Sequence, residues 1–124
     1  MTYKQPSDAH NERIAMMTIS SLYPVLLHKV EIKGRTEEEL LAVIEWLTGF
    51  DKNGVYKAIA AHESLKEFFE SAKIHPDAAK IKGLICGYRV EQIENPLTQQ
   101  VRYLDKLVDE LAKGKKLEKI LNRK

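Results

Sequence analysis

Apolar residues recur at steps of three and four along most of this chain, the period of a helix with one buried face. Leu22, Val25, Leu26 and Val30 form the first such face, opening near Ser20 or Ser21 and ended by Gly34. Pro24 fits only its first turn, where a missing N–H removes no hydrogen bond. Leu40, Val43, Ile44 and Leu47 form the second, opened by Thr36 with Glu39 at capping-box spacing and closed by Gly49. Asp51 caps a third helix bearing Val55 and Ile59, and Ser64 with Glu67 opens a fourth bearing Leu65, Phe68, Phe69 and Ala72. After the break at His75-Pro76-Asp77, the spacing of Ile81, Leu84, Ile85 and Tyr88 predicts a fifth helix, with one more turn over 89–93. Asn95-Pro96 starts the longest, with Leu97, Val101, Leu104, Val108 and Leu111 alternating steps of four and three. Gly114 interrupts that seam, and Leu117, Ile120 and Leu121 resume on a shifted face.

Two stretches share one pattern. Counting from Gly49-Phe50 and from Gly87-Tyr88, apolar residues pair off as Leu40/Ala78, Val43/Ile81, Trp46/Leu84, Leu47/Ile85, Val55/Ile93 and Ile59/Leu97. Each Gly is read as a left-handed helix stop, and each aromatic as folding back over the helix just ended. Leu84-Ile85-Cys86 alone suits a buried strand, but its flanking spacing favours helix. The expectation is an all-α fold: a compact single-domain bundle of about six short helices, with a longer C-terminal helix. Residues 1–17 read as a mobile leader, 18–124 as the helical domain and 113–124 as a basic extension.

Composition agrees with one domain: 124 residues, 44% hydrophobic and 31% charged, enough to bury a core and to keep a solvated surface. The stretch 14–27 carries Thr18, Ser20, Ser21 and Pro24 and is too short and too polar to span a bilayer. The N-terminus lacks the basic-then-apolar layout of a secretion signal. A cytoplasmic location without membrane contact is expected. The net charge of +2 is uneven. Lys113, Lys115, Lys116, Lys119, Arg123 and Lys124 stand against Glu118 alone at the C-terminal end, so the rest of the chain is net acidic.

Catalytic patterns are sparse. Cys86 is the single cysteine and lies in an apolar run, where a small buried hydrophobe is the ordinary reading. His10, His28, His62 and His75 are scattered, with no metal-ligand spacing. The glycines stand singly at helix ends, so no phosphate loop exists. No catalytic residue, cofactor or metal is expected. Asp105, Asp109 and Glu110 read as solvent-facing helix surface paired with Arg102, Lys106 and Lys113. The candidate binding residues are Arg35, Trp46, Tyr88, Arg89, Glu91, Arg102 and Asp105, because helix corners bring side chains of different helices together. Gly83, Gly87 and Ile93 also have helix–turn–helix spacing. The helix that would read DNA there carries Glu91 and Glu94 against Arg89, too acidic to approach phosphates.

Four stretches taken together resemble a bacterial family known as domain of unknown function 2200. They are YPVLLHKVEIKGRT at 23–36, WLTGF at 46–50, GLICGYRVEQI at 83–93 and RYLDKLVDELAKGKKLEKIL at 102–121. The likeness runs in order from about Arg13 to Leu121. It implies a small stand-alone bacterial protein and brings no activity, cofactor or catalytic residue. The matching polar positions are Lys29, Lys33, Arg35, Arg89, Glu91, Arg102, Asp105 and Lys106.

The leading expectation is a non-enzymatic binding or regulatory protein acting through a helix face, as a homodimer through the 97–111 seam or with a protein partner. The first alternative is nucleic-acid binding through the 89–97 corner and the basic tail. The second is a small enzyme with a pocket around Arg35, Trp46, Tyr88 and Arg89.

Overall fold

The computed structural model describes residues 4–123. Among these residues seven α-helices carry the fold: α1 (Asp8–Met16), α2 (Ile19–Glu31), α3 (Glu37–Thr48), α4 (Lys52–Ala60), α5 (Leu65–Glu70), α6 (Pro96–Ala112) and α7 (Leu117–Leu121). Between α5 and α6 lie a 3-10 turn (Pro76–Lys80), a two-stranded hairpin of β1 (Leu84–Ile85) and β2 (Tyr88–Arg89), and a second 3-10 turn (Val90–Gln92).

Side-chain caps set most helix starts. Thr36 with Glu39 and Ser64 with Glu67 form complete capping boxes at α3 and α5, while Asp51 and Asn95 accept from Gly54 N and Thr98 N at α4 and α6. Gly49 closes α3 in the left-handed conformation at φ +80°. Gly114 closes α6: Gly114 N donates to Leu111 O and Lys115 N to Glu110 O, the paired bonds of a Schellman end.

The central element is α6. Val101, Tyr103, Leu104, Leu107, Val108 and Leu111 are all buried, and it packs on α1, α2, α3, α5, α7 and the hairpin. Each buried leucine contributes roughly 1.5–3 kcal/mol. The seam expected to be open to a second copy is therefore taken up inside the molecule. Only Leu97 at its start remains partly open.

Several expectations are corrected. Residues 8–16 of the supposed leader form α1, capped by Ser7 and burying Ile14. Gln5 ties the segment before it down: its Nε2 donates to Gln92 O at 2.7 Å, and Glu94 N donates to its Oε1 at 2.9 Å. A stretch with one inward apolar residue shows no periodicity, which is why it read as a leader. Residues 1–3 of that leader, and Lys124 of the basic extension, lie outside the described residues. The rest of the extension is no loose tail, because α7 buries Ile120 completely against the core.

Thr18, not Ser20 or Ser21, caps α2, so Pro24 falls inside the helix on its exposed side, where Ser20 O can meet water. Val25, assigned to the core face, is 62% exposed. The predicted fifth helix is a hairpin, with Leu84 paired to Arg89 and Ile85 to Tyr88. Cys86 and Gly87 make its turn at φ +52° and +82°, the positive-φ pair of a tight two-residue hairpin. Cys86 is consequently exposed, not buried. With a hairpin on one side of Gly87 and a single 3-10 turn after it, the helix–turn–helix reading fails.

Candidate functional site

The candidate residues separate into three places. Arg35 follows the Gly34 corner and lies along α3. Its Nη2 donates to Glu39 Oε2 at 2.6 Å, and its Nη1 donates to Leu111 O and Lys115 O, both at 2.9 Å. It thus ties the start of α3 to the end of α6. The hydrogen bond from Arg35 holds the Glu39 carboxyl below its ordinary value, against burial. Trp46 lies on the far part of α3, stacked on His75 with ring centroids 4.2 Å apart and planes 15° apart. His75 Nδ1 accepts from Asp77 N at 2.9 Å, which fixes the ring.

The third place is the hairpin with the α6 face beneath it, and it holds Tyr88, Arg89, Glu91, Arg102 and Asp105. Arg89 and Glu91 pair at 3.2 Å, and Glu91 Oε1 also accepts from Gly83 N at 3.1 Å. Burial pushes the Glu91 carboxyl up, and these donors outweigh it to hold it below its usual range. Arg102 is the hub. Its Nη1 donates to Asp105 Oδ2 at 2.7 Å and lies 3.4 Å from Cys86 Sγ. Its Nη2 meets His10 Nε2 at 3.1 Å. His10 presents its edge to Tyr88 at 6.0 Å, and Lys4 Nζ stands 5.2 Å from the centre of the Tyr88 ring. The enzyme pocket expected around Arg35, Trp46, Tyr88 and Arg89 is therefore not assembled. The acidic residues of α6 are half-buried and not solvent-facing: Asp105, Asp109 and Glu110 have side chains 15–17% exposed.

A thiol, an imidazole and a carboxylate around one arginine could suggest nucleophilic chemistry. The hydrogen-bond roles argue otherwise. Guanidinium has donors only, so His10 Nε2 is the acceptor and its proton sits on Nδ1. Burial first, then the charges of Arg102 and Arg13, lowers the His10 pKa and keeps that neutral form. The lone pair that could take a thiol proton is already engaged by Arg102. Burial raises the Asp105 pKa while Arg102 and Lys29 oppose it. The hub ties α1, the hairpin and α6 together.

A groove of about 600 Å³ opens between α1, α5 and the start of α6. Phe69, Ile74 and Leu97 give it an apolar floor, and Asn11, Asn95 and Gln100 give it an amide rim. Both asparagine oxygens are committed inside the fold. Asn95 Oδ1 accepts from Thr98 N at 3.0 Å, and Asn11 Oδ1 from the Thr98 hydroxyl at 2.6 Å. Each amide thus has its NH₂ left to offer as a donor. Glu12, Glu70 and Lys66 complete the rim with a net negative charge.

The sequence profile of a bacterial family described as "Uncharacterized protein conserved in bacteria (DUF2200)" matches residues 13–122. The chain belongs to this family. The crystal structure of the uncharacterized protein SP1917 is similar to it, with TM-score 0.84 and 39% sequence identity over 89% of this chain and 91% of that one. No curated protein matches the chain. Among the described residues, no helix of this DUF2200 protein is long and apolar enough to cross a membrane.

Sequence reasoning missed His10, Cys86 and the groove. His10 lies in the segment read as a leader, and Cys86 in a run read as helix. Asn11, Phe69 and Asn95 are so far apart in the DUF2200 chain that only the tertiary fold relates them.

Proposed function

We propose that this DUF2200 protein is a non-enzymatic binding protein, and that its ligand is an extended segment of a partner protein lying in the groove between α1, α5 and α6. The observation that carries this reading is the pair of asparagines whose oxygens are held by Thr98 while their NH₂ groups have no protein acceptor among the described residues. Unused donors beside an apolar floor suit a peptide, whose carbonyls accept and whose side chain covers Phe69 and Leu97. The groove's volume lies in the range of ligand sites. Its net negative rim favours a segment with a basic residue over an acidic one. The wiring of the Arg102 hub supports the non-enzymatic half, because the imidazole lone pair and the Asp105 carboxylate are both engaged by Arg102.

The test is an NMR amide-shift titration with N-acetyl-leucyl-lysine amide and its leucyl-glutamate counterpart. The lysine form should shift residues 11–15, 66–74 and 95–100, and bind several-fold more tightly than the glutamate form. Asn95→Ser keeps a capping oxygen but removes the amide donor, and should weaken binding with little change in melting. Leu97→Arg should block the groove. Shifts scattered over the surface, or equal binding of both peptides to all variants, would sink the proposal.

A further inference from the structure

The corner between α6 and α7 carries a second feature, separate from the groove. Lys80, Lys115, Lys119 and Arg123 line a cleft of about 480 Å³, with Glu118 the one acidic side chain among its walls. The cations come from two distant parts of the chain, the 3-10 turn after α5 and the last twelve residues. Folding brings them together although like charges repel. Their carboxylate partners are Glu110 and Asp77. Glu110, 15% exposed, receives Arg123 Nη2 and pairs with Lys115 at 3.6 Å. Asp77 pairs with Lys80 at 3.4 Å. Among the described residues Lys119 has no carboxylate within bridging distance, and the buried Arg123 Nε has no acceptor. Two devices hold this wall in place. The Gly114 helix end turns the chain, and Arg35 grips the carbonyls of Leu111 and Lys115.

We infer that this cleft binds a phosphate group, and that its source is the backbone of a nucleic acid. A guanidinium anchored by Glu110 with ammonium groups around it is a donor set for phosphate oxygens. A nucleic-acid source is favoured over a small phosphate because the exposed Lys116, next to Lys115 in the chain, adds positive charge beyond the cleft lining, where a further phosphate would pass. Such contacts position a duplex without reading its bases. Of the corner and the basic tail expected to bind nucleic acid, the tail supplies Lys115, Lys119 and Arg123 here, and the 89–97 corner supplies none of the cleft's walls.

The experiment is fluorescence anisotropy of a labelled 20-base-pair duplex with the full chain at 50 and 200 mM salt. With about three phosphates neutralised, the fourfold rise in salt should weaken binding by roughly 40-fold. Lys119→Glu should weaken binding at least several-fold and flatten the salt slope. Lys57→Glu, on the exposed side of α4, should leave both nearly unchanged. The double variant Lys80→Glu/Lys119→Glu should abolish binding while circular dichroism shows an intact fold. No binding at 50 mM salt would overturn the inference, as would equal losses from Lys119→Glu and Lys57→Glu. Displacement of the duplex by equimolar pyrophosphate would overturn the nucleic-acid assignment in favour of a small phosphate ligand. Equal affinity for vesicles of anionic lipid, lost in the same variants, would overturn it in favour of a membrane surface.

Discussion

Gly49-Phe50 and Gly87-Tyr88 sit in stretches that pair off residue by residue, and their glycines share nearly the same backbone angle, φ +80° and +82°. Gly49 closes a twelve-residue helix, and Phe50 turns inward to lie 4.8 Å from Phe68. Gly87 is half of a hairpin turn, and among the described residues the Tyr88 ring meets an imidazole edge and a lysine at the surface. The difference lies upstream. Leu40, Val43, Ile44 and Leu47 are all buried and hold α3 as a helix. Of their counterparts, Ala78 and Ile81 are buried, but Ile85 is only partly buried and Ile44 is matched by the exposed Lys82. A stripe with an unburied member does not pull the chain into a helix, and the backbone pairs with itself instead. Left-handed glycine is a corner of either kind. The packing before it decides which.

The aromatics should show the contrast most strongly. Phe50→Ala removes a ring packed on the core and should cost about 2–3 kcal/mol, below the range for a fully buried Phe because Phe50 is only half-buried. Tyr88→Ala should cost about 1 kcal/mol, consistent with surface contacts. Urea melts of both variants give the comparison. Equal losses would mean that the hairpin is packed as firmly as the end of α3.

The glycines come next. A side chain in the left-handed region costs roughly 1–2 kcal/mol. Gly49→Val should exceed that range's middle, because a Cβ there is already in van der Waals contact with Lys73 Cβ at 3.4 Å and Lys73 O at 3.7 Å, and the two γ-methyls must fit beyond it. Gly87→Val should cost only the backbone strain, since a Cβ there meets nothing within 4 Å. Gly87→Asn should be nearly neutral, as asparagine tolerates the hairpin conformation. A Gly87→Val penalty clearly larger than that of Gly49→Val would show that the hairpin turn is the more constrained corner.

These corners also mark how far the sequence could be read. Capping boxes at Thr36 and Ser64, the Asn95-Pro96 start and the left-handed Gly49 and Gly114 act within a few residues, so each was legible where it stood. The hairpin was not. Two-residue strands have no measurable period, and Cys86 is an unusual residue for positive φ. α1 was hidden because Ile14 is the one residue it buries. Of the candidate site residues, Tyr88, Arg102 and Asp105 do share a neighbourhood, whereas Arg35 and Trp46 belong elsewhere. His10, which completes that neighbourhood, lies 92 positions from Arg102, and local spacing carries no information over that distance.

The smallest effect separates the two corners by pH. The Gly87 corner leans on His10, whose pKa in the fold lies below the ordinary 6.5 because of burial and then Arg102 and Arg13. Between the folded and unfolded values the unfolded chain binds more protons, so stability rises with pH in that window. The contribution of His10 is complete above about pH 6.5 and disappears as the pH falls through the lowered folded value. Protonation leaves Arg102 facing a second cation, which loosens α1 from the hairpin. Acidifying from pH 7 to 5 should therefore reduce the hydrogen-exchange protection of Val90 N, which donates to Gly83 O across the hairpin. Gly49 N, bonded to Glu45 O in α3, should change less. His10→Gln keeps an acceptor for Arg102 without a titrating ring, and should remove the difference between the two amides. Were that difference to persist in His10→Gln, the acid sensitivity of the hairpin would have to come from its carboxylates, with Glu91 at Gly83 N the first to test.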